Sequence, residues 1–312
     1  MKTSAVTPAD LAQSVLAVPP FARVRNGAAG IVENRKIVDW LIAGGVTTFM
    51  YGGNANFYNL GVLEFPLILE FLSNIAPPGA WIIPAFGPDF GKALDQATIL
   101  RSFDFPTAMA LPMASATRPA GIATGLRRLA DACQKPVLAY MRAENYIAPR
   151  DLAALLADGV VCAVKYAVER KDPADDRYLA AIVEAAGTER IVSGIGERPA
   201  IVHLTKFGLN GFTSGSVCVA PHLSTAILRA LKAGDVRAAE TLREKFLPFE
   251  DQRDARSPIV VLHDGVRLAG IADTGPLQPY LANLDADAVG PVAAAARALY
   301  EENARFARLR AA

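Results

Sequence analysis

The chain alternates between two kinds of segment. Short runs of aliphatic, β-branched and aromatic residues are each followed by a longer segment whose apolar positions recur at helical spacing, and the pattern occurs eight times. The short runs are apolar on both faces instead of alternating with polar residues, which is typical of parallel strands covered by helices on both sides. The eight predicted strands begin at Ser14, Thr47, Trp81, Thr107, Pro136, Val160, Arg190 and Gly211.

Eight strand–helix units completed by about residue 234 predict an α/β fold of the (β/α)₈ TIM-barrel type. A doubly wound open sheet is the alternative, but such sheets usually have fewer units, and no G-x-G-x-x-G sequence follows the first strand. The alternation stops after Gly234, and three helical segments follow. We therefore expect a catalytic barrel domain over residues 1–234 and a C-terminal helical extension over 235–312.

Composition and charge exclude several classes of protein. Of the 312 residues, 52% are hydrophobic, which excludes a disordered chain. The 32 Lys and Arg residues nearly balance the 31 Asp and Glu residues, so neither a nucleic acid nor an anionic membrane is expected as partner. The N-terminal residues lack the apolar core of a signal peptide. Three cysteines with apolar neighbours predict buried thiols in a reducing, cytoplasmic compartment.

The surplus of apolar residues also predicts subunit contacts. The segment GVLEFPLILEFLSNI, which begins at Gly61, has Phe and Leu on several helical faces. A helix that is apolar on more than one side needs a second surface to cover it. We therefore expect a homo-oligomer, either a dimer or a tetramer.

Lys165 is the most informative single residue, because it lies within the apolar run VVCAVKYAV. Lysine is almost never fully buried unless it is paired or functional. At the C-terminal end of a barrel strand, low polarity would lower the pKa of the amine, and a neutral amine can attack a carbonyl to form a Schiff base. The alternative is a lysine that extends its amine out to solvent.

Tyr140 ends the preceding strand, in PVLAY. The ends of neighbouring barrel strands meet at one face, so a tyrosine there is placed to relay protons to and from a substrate held by Lys165. The alternative is a core tyrosine whose hydroxyl is bound by the backbone. The pair of residues, one strand–helix unit apart, is more specific than either residue alone.

With these residues, the chain resembles the dihydrodipicolinate synthase/N-acetylneuraminate lyase family of class I aldolases. Tyr140, Lys165, the Ser193-Gly194 end of strand seven and the helical tail carry the resemblance, together with GGVTTFMYGGNANFYNL at the family's strand-two signature. It covers nearly the whole chain, from about Ser14 to the C-terminal helices.

The resemblance implies a lyase or aldolase acting on pyruvate or a related 2-oxo acid, with no cofactor and no metal. Lys165 would form the Schiff base and Tyr140 would move the protons. The implied substrate-binding residues are Gly53, Asn54 and Ala55 in the strand-two turn, Gly194 and Glu197 after strand seven, and Thr213 and Ser214 in strand eight.

Three departures argue against dihydrodipicolinate synthesis itself. Ala55 lacks the hydroxyl of the family's turn, and LPMASATRP after strand four lacks the tyrosine that those synthases insert into a neighbouring subunit. Neither Arg142 nor Arg150 is in register with the arginine that binds their second substrate. A 2-keto-3-deoxy sugar acid dehydratase and a non-catalytic binding or regulatory protein on a degenerate barrel remain as alternatives.

Overall fold

The computed structural model, which describes residues 1–311, is a closed barrel of eight parallel strands in chain order. Leu16 and Ala17 of the first strand pair with Thr213 and Ser214 of the last, so the sheet is closed and the predicted TIM barrel is confirmed. The strands are β1 (Leu16–Ala17), β2 (Thr48–Tyr51), β3 (Trp81–Phe86), β4 (Ala108–Ala110), β5 (Val137–Met141), β6 (Val161–Tyr166), β7 (Ile191–Ser193) and β8 (Gly211–Ser214).

Helices precede the first strand and follow each strand. They are α1 (Pro8–Gln13), α2 (Ile31–Ala43), α3 (Phe65–Ile75), α4 (Phe90–Leu100), α5 (Pro119–Cys133), α6 (Pro149–Ala157), α7 (Arg177–Ala186), α8 (Glu197–Thr205) and α9 (Pro221–Lys232). Asp176 caps α7 by accepting a hydrogen bond from the Leu179 N–H at 2.9 Å.

Every residue of the eight strands is buried, which explains why the strand sequences are apolar on both faces. The first strand is only two residues long although its apolar run is longer. Pro19 and Pro20 follow closely, and proline has no N–H to extend a sheet ladder. The three cysteines are free thiols buried in this core, as predicted.

The C-terminal extension contains four helices instead of the predicted three: α10 (Val236–Glu244), α11 (Leu247–Ala255), α12 (Pro258–Leu268) and α13 (Ala286–Ala311). The segment predicted as one helix is divided at Lys245 and Phe246. Pro248 causes the division, because proline is accommodated in the first turn of a helix but not in its interior. Residue 312, the last of the predicted extension, lies outside the described residues.

The extension covers part of the barrel. Helix α10 packs against α8 and α9, and α13 packs against α9, α11 and α12. Helix α12 contacts the 3₁₀ turn Gly53–Ala55, which follows β2. Helix α11 is thereby held at the end of the barrel where the strands terminate. Among residues 1–311, no helix combines the length and apolarity needed to cross a membrane.

Candidate functional site

A cavity of about 670 Å³ opens at the C-terminal ends of the strands. Barrel side chains and loops form most of its wall, and α11 with the start of α12 forms the rest. In TIM barrels this end carries the chemistry, because eight loops converge there above a packed core. The cavity is large enough for a small organic acid with several functional groups.

Lys165 lies on the floor of this cavity, at the penultimate position of β6, with only 4% of its surface exposed. Burial, together with the smaller effect of the positive charges of Arg142 and Arg253, lowers the pKa of its ammonium from 10.5 to about 7. The amine therefore does not reach the surface, which excludes the alternative of a lysine that extends out to solvent. At neutral pH a large fraction of the amine is unprotonated and nucleophilic.

Tyr140 is the register partner of Lys165 on the adjacent strand β5. The Lys165 Nζ lies 4.3 Å from the centre of the Tyr140 ring, and both residues line the cavity. Burial raises the pKa of the Tyr140 hydroxyl, so the hydroxyl keeps its proton at neutral pH. A protonated phenol beside the amine is positioned to donate a proton to a substrate oxygen and to recover one later.

The strand-two turn supplies two of its three predicted residues. Gly53 and Asn54 line the cavity. Ala55 does not: it is buried away from the cavity, and its N–H donates to the Gly52 carbonyl at 3.1 Å. That hydrogen bond closes the 3₁₀ turn, so the prediction that the Ala55 N–H binds a substrate carboxylate is wrong.

Gly194 and Thr213, two more of the residues predicted to bind substrate, also line the cavity. A Cβ on Gly194 would lie 2.7 Å from the Tyr166 carbonyl oxygen and 2.9 Å from Cγ of Lys165. These distances are too short for any side chain. Glycine at the end of β7 therefore leaves the lysine stem the room it needs.

Glu197 and Ser214 are corrected by the structure, because both lie behind the cavity wall. Glu197 is fully buried and accepts hydrogen bonds from Ser214 Oγ at 2.8 Å and Ser224 Oγ at 2.5 Å. Burial raises the pKa of the Glu197 carboxyl, and these two hydrogen bonds oppose the rise. Glu197 is therefore not placed to contact a substrate in the cavity.

Sequence reasoning missed several cavity residues, and helix α11 carries two of them, Glu250 and Arg253. They belong to the segment PFEDQRDAR, whose charge is typical of a solvated helix face, so nothing in the local pattern marks them. His203 is also in the wall, but burial lowers its pKa to about 4 and its Nδ1 is paired with Ser193 Oγ at 2.8 Å.

Two further cavity residues stand beside Tyr140. Tyr58 comes from the 3₁₀ turn Phe57–Asn59, four residues after Asn54, and Arg142 follows β5. Burial raises the pKa of the Tyr58 hydroxyl, and the neighbouring Arg142 guanidinium opposes that rise. Arg150, the other arginine considered for this place, is 89% exposed and lies outside the cavity.

The polar side chains that line the cavity are mainly hydrogen-bond donors. Within residues 1–311, no group of three or more His, Cys, Asp or Glu side chains is close enough together to hold a metal ion. The chemistry that the arrangement provides directly is that of an amine, two phenols and several guanidinium groups around one cavity.

Comparisons with known proteins agree with this architecture. Dihydrodipicolinate synthase from Bacillus clausii superposes with a TM-score of 0.79 at 20% identity, covering 92% of this chain and 97% of that one. A catalytic lysine mutant of sialic acid aldolase from Ruminococcus gnavus gives 0.80 at 14% identity, covering 95% and 98%. YagE, a prophage protein from E. coli solved in complex with pyruvate, gives 0.77 at 18% identity, covering 91% and 98%.

At these identities the three structures show a shared fold. No curated protein sequence matches the chain significantly. The sequence model of the Dihydrodipicolinate synthetase family, however, matches residues 25–298, which include seven of the eight strands and all but the end of the extension. The chain therefore belongs to the dihydrodipicolinate synthetase family.

Proposed function

We propose that this protein is a class I lyase or aldolase that binds a 2-oxo acid as a Schiff base on Lys165. The observation that carries the proposal is the position of Lys165: buried, facing the cavity, with a pKa lowered to about 7 and with Tyr140 beside it. Two family relatives support it, because YagE binds pyruvate and the sialic acid aldolase has a catalytic lysine.

The reaction begins when the neutral Lys165 amine attacks C2 of the oxo acid and forms a carbinolamine. Tyr140 donates a proton to the departing hydroxyl, water leaves, and a protonated iminium remains. Removal of a C3 proton, or cleavage of the C3–C4 bond after the C4 hydroxyl loses its proton, sends an electron pair into the iminium to give an enamine. Protonation of C3 and hydrolysis then release the product and regenerate the amine.

Tyr58 and Arg142 complete this site near Tyr140. The second phenol lies close enough to raise the pKa of the Tyr140 hydroxyl, so it is placed to exchange protons with Tyr140. Among residues 1–311, the one carboxylate within 4.0 Å of Arg142 is that of Glu169, which is 3.8 Å away and 75% exposed and screens its charge weakly. The guanidinium is thus available to an anionic or hydroxylated group at the far end of the substrate.

Dehydration of a 2-keto-3-deoxy sugar acid is the second candidate, and Glu250 favours it. Burial and the neighbouring Glu197 raise the pKa of the Glu250 carboxyl to about 8, so it holds a proton at neutral pH. A protonated carboxyl in the cavity wall is suited to protonate a hydroxyl group that leaves as water. Product analysis separates the two reactions, since dehydration leaves the carbon chain intact whereas aldol cleavage shortens it.

Reductive trapping tests the proposal. The protein is incubated with pyruvate, a 4-hydroxy-2-oxo acid or a keto-deoxy sugar acid, reduced with borohydride, digested, and analysed by mass spectrometry. We expect an adduct on Lys165, and we expect Lys165→Ala to abolish it while Lys171→Ala, which removes an exposed lysine six residues later in the chain, does not. No adduct with any of these acids, as a non-catalytic binding protein would show, contradicts the proposal.

A further inference from the structure

The four arginines around the cavity differ in how their charges are balanced. Arg170 is paired with Asp176 at 2.9 Å and with Glu144. Arg198 is paired with Asp251 at 2.6 Å and also lies 3.4 Å from Asp254. Acidic partners therefore neutralise these two, and Arg142 has the distant Glu169 described above. Arg253 has no carboxylate within 4.0 Å among residues 1–311.

Arg253 is nevertheless the most buried of the four, with 9% of its surface exposed. Its hydrogen bonds are long: Nη1 donates to Ser216 Oγ at 3.2 Å, and Nε donates to the Pro258 carbonyl at 3.4 Å. Glu197 and Glu250 lie near it, but burial raises the pKa of both carboxyls, which favours their neutral forms. A buried guanidinium without a counter-ion is costly, and a bound anion would remove that cost.

Arg253 and Asn54 stand close together in the cavity wall, beside Gly215. A Cβ on Gly215 would lie 2.8 Å from Arg253 Nη2 and 2.7 Å from Asn54 Nδ2, which is too short for a side chain, so glycine lets the two nitrogens approach each other. Asn54 Nδ2 donates one hydrogen to the Val18 carbonyl at 2.9 Å and retains a second. Two neighbouring donors in the wall are thus placed to bind an anion that enters the cavity.

We propose that Arg253, from helix α11 outside the barrel, binds the carboxylate of the 2-oxo acid together with Asn54. This inference rests on the proposed function. The carboxylate carbon is bonded directly to the carbon that Lys165 attacks, so its binding group must stand close to that amine. Arg253 and Asn54 line the same cavity as Lys165, and the charge of Arg253 is among those that lower the pKa of the amine. Arg253 also supplies the contact that Ala55 cannot, since the Ala55 N–H is used within its turn.

Two ligands with the same carbon skeleton test the assignment. Pyruvate carries the carboxylate, and pyruvamide replaces it with an uncharged amide. Borohydride trapping on Lys165 is measured as a function of the concentration of each ligand for the wild type, Arg253→Gln and Arg253→Lys. Arg256→Gln, at the exposed end of the same helix, is the matched control for loss of one positive charge.

We expect Arg253→Gln to raise the half-saturating pyruvate concentration about tenfold or more, as the loss of a charge-assisted hydrogen bond implies. The pyruvamide value should change less than about twofold, and Arg253→Lys should recover part of the loss. The ratio of the two ligands cancels any change in the pKa of Lys165, because both react with the same amine. Arg256→Gln should leave both values unchanged.

A second variant keeps the charge and displaces the two donors. Gly215→Ala places a methyl group 2.7 Å from Asn54 Nδ2 and 2.8 Å from Arg253 Nη2, so both side chains must move, and its φ of −87° lets alanine adopt the backbone conformation. It should also weaken pyruvate selectively, even if Arg253→Gln folds poorly. Equal effects on pyruvate and pyruvamide in both variants would overturn the assignment of Arg253. A wild type that traps neither ligand would instead overturn the proposed function.

Discussion

Lys165 is buried in surroundings that disfavour its positive charge, and this lowers the free energy of unfolding of the protein. The residue is buried at the end of β6, and two guanidinium groups add repulsion to the cost of desolvation. Below pH 7 the amine is charged in the folded and unfolded chains alike, and the folded state bears the full cost. Between pH 7 and 10.5 the folded chain holds a neutral amine whereas the unfolded chain still binds the proton, so the cost falls as the pH rises.

Lys165→Met should therefore stabilise the protein, and by more at pH 6 than at pH 9. Methionine fills a similar volume without charge. The gain in unfolding free energy should be larger by about 3 kcal/mol at the lower pH, because about two units of pH separate the folded pKa from pH 9 and each changes the balance by about 1.4 kcal/mol. Urea unfolding of both proteins at the two pH values measures this difference. Equal gains at pH 6 and pH 9 would show that Lys165 is not titrating in this range.

At this scale the sequence reveals some site residues and hides others. Lys165 and Tyr140 can be predicted because a polar group stands out within an apolar strand. Glu250 and Arg253 cannot, since they lie in a strongly charged helix whose buried face is defined only when α11 packs against the barrel. Glu197 shows the opposite error, because it is predicted to bind substrate but is fully buried behind the cavity wall, where two serine hydroxyls donate to it.

Among the elements, the strands can be predicted from local sequence, whereas the contacts made by the C-terminal extension cannot. Two-sided burial imposes a continuous apolar run on each strand, so all eight can be located by inspection. The start of α9 instead depends on a residue more than 80 positions away in the chain. The N–H groups of His222 and Leu223 donate to Asn303 Oδ1 of α13 at 2.9 and 3.2 Å, whereas the N-cap residue Ala220 has no side-chain acceptor.

Asn303→Ala should lower the free energy of unfolding by about 1–3 kcal/mol. Asn303 is fully buried, so its loss leaves two N–H groups of the first turn of α9 without an acceptor. Chemical denaturation measures the change. Asn74→Ala, on the exposed side of α3, is the matched control and should shift stability by less than about 0.5 kcal/mol. A similar loss in both variants would mean that Asn303 does not cap α9.

For the whole molecule, the sequence pattern predicts a boundary at residue 234 between the barrel and the C-terminal extension, but both parts contribute residues to the cavity. The barrel supplies Lys165 and Tyr140, and the extension supplies Glu250 and Arg253 to the same cavity. The predicted homo-oligomer stays a prediction. Leu63, two residues before α3, and Leu67 in its first turn are 92% and 64% exposed in the single chain, and we expect a subunit contact on their apolar side chains.

A chain that ends at Gly234 should fail to fold cooperatively, although all eight strands precede that residue. Truncation uncovers the faces of α8 and α9 that pack against α10 and α13, removes the Asn303 cap, and deletes one wall of the cavity. We expect loss of a sharp thermal transition and rapid proteolysis, with the full chain as control. If residues 1–234 instead unfold cooperatively, the barrel is an independent domain. Its pyruvate trapping would then still be expected to weaken relative to pyruvamide, because Arg253 is absent.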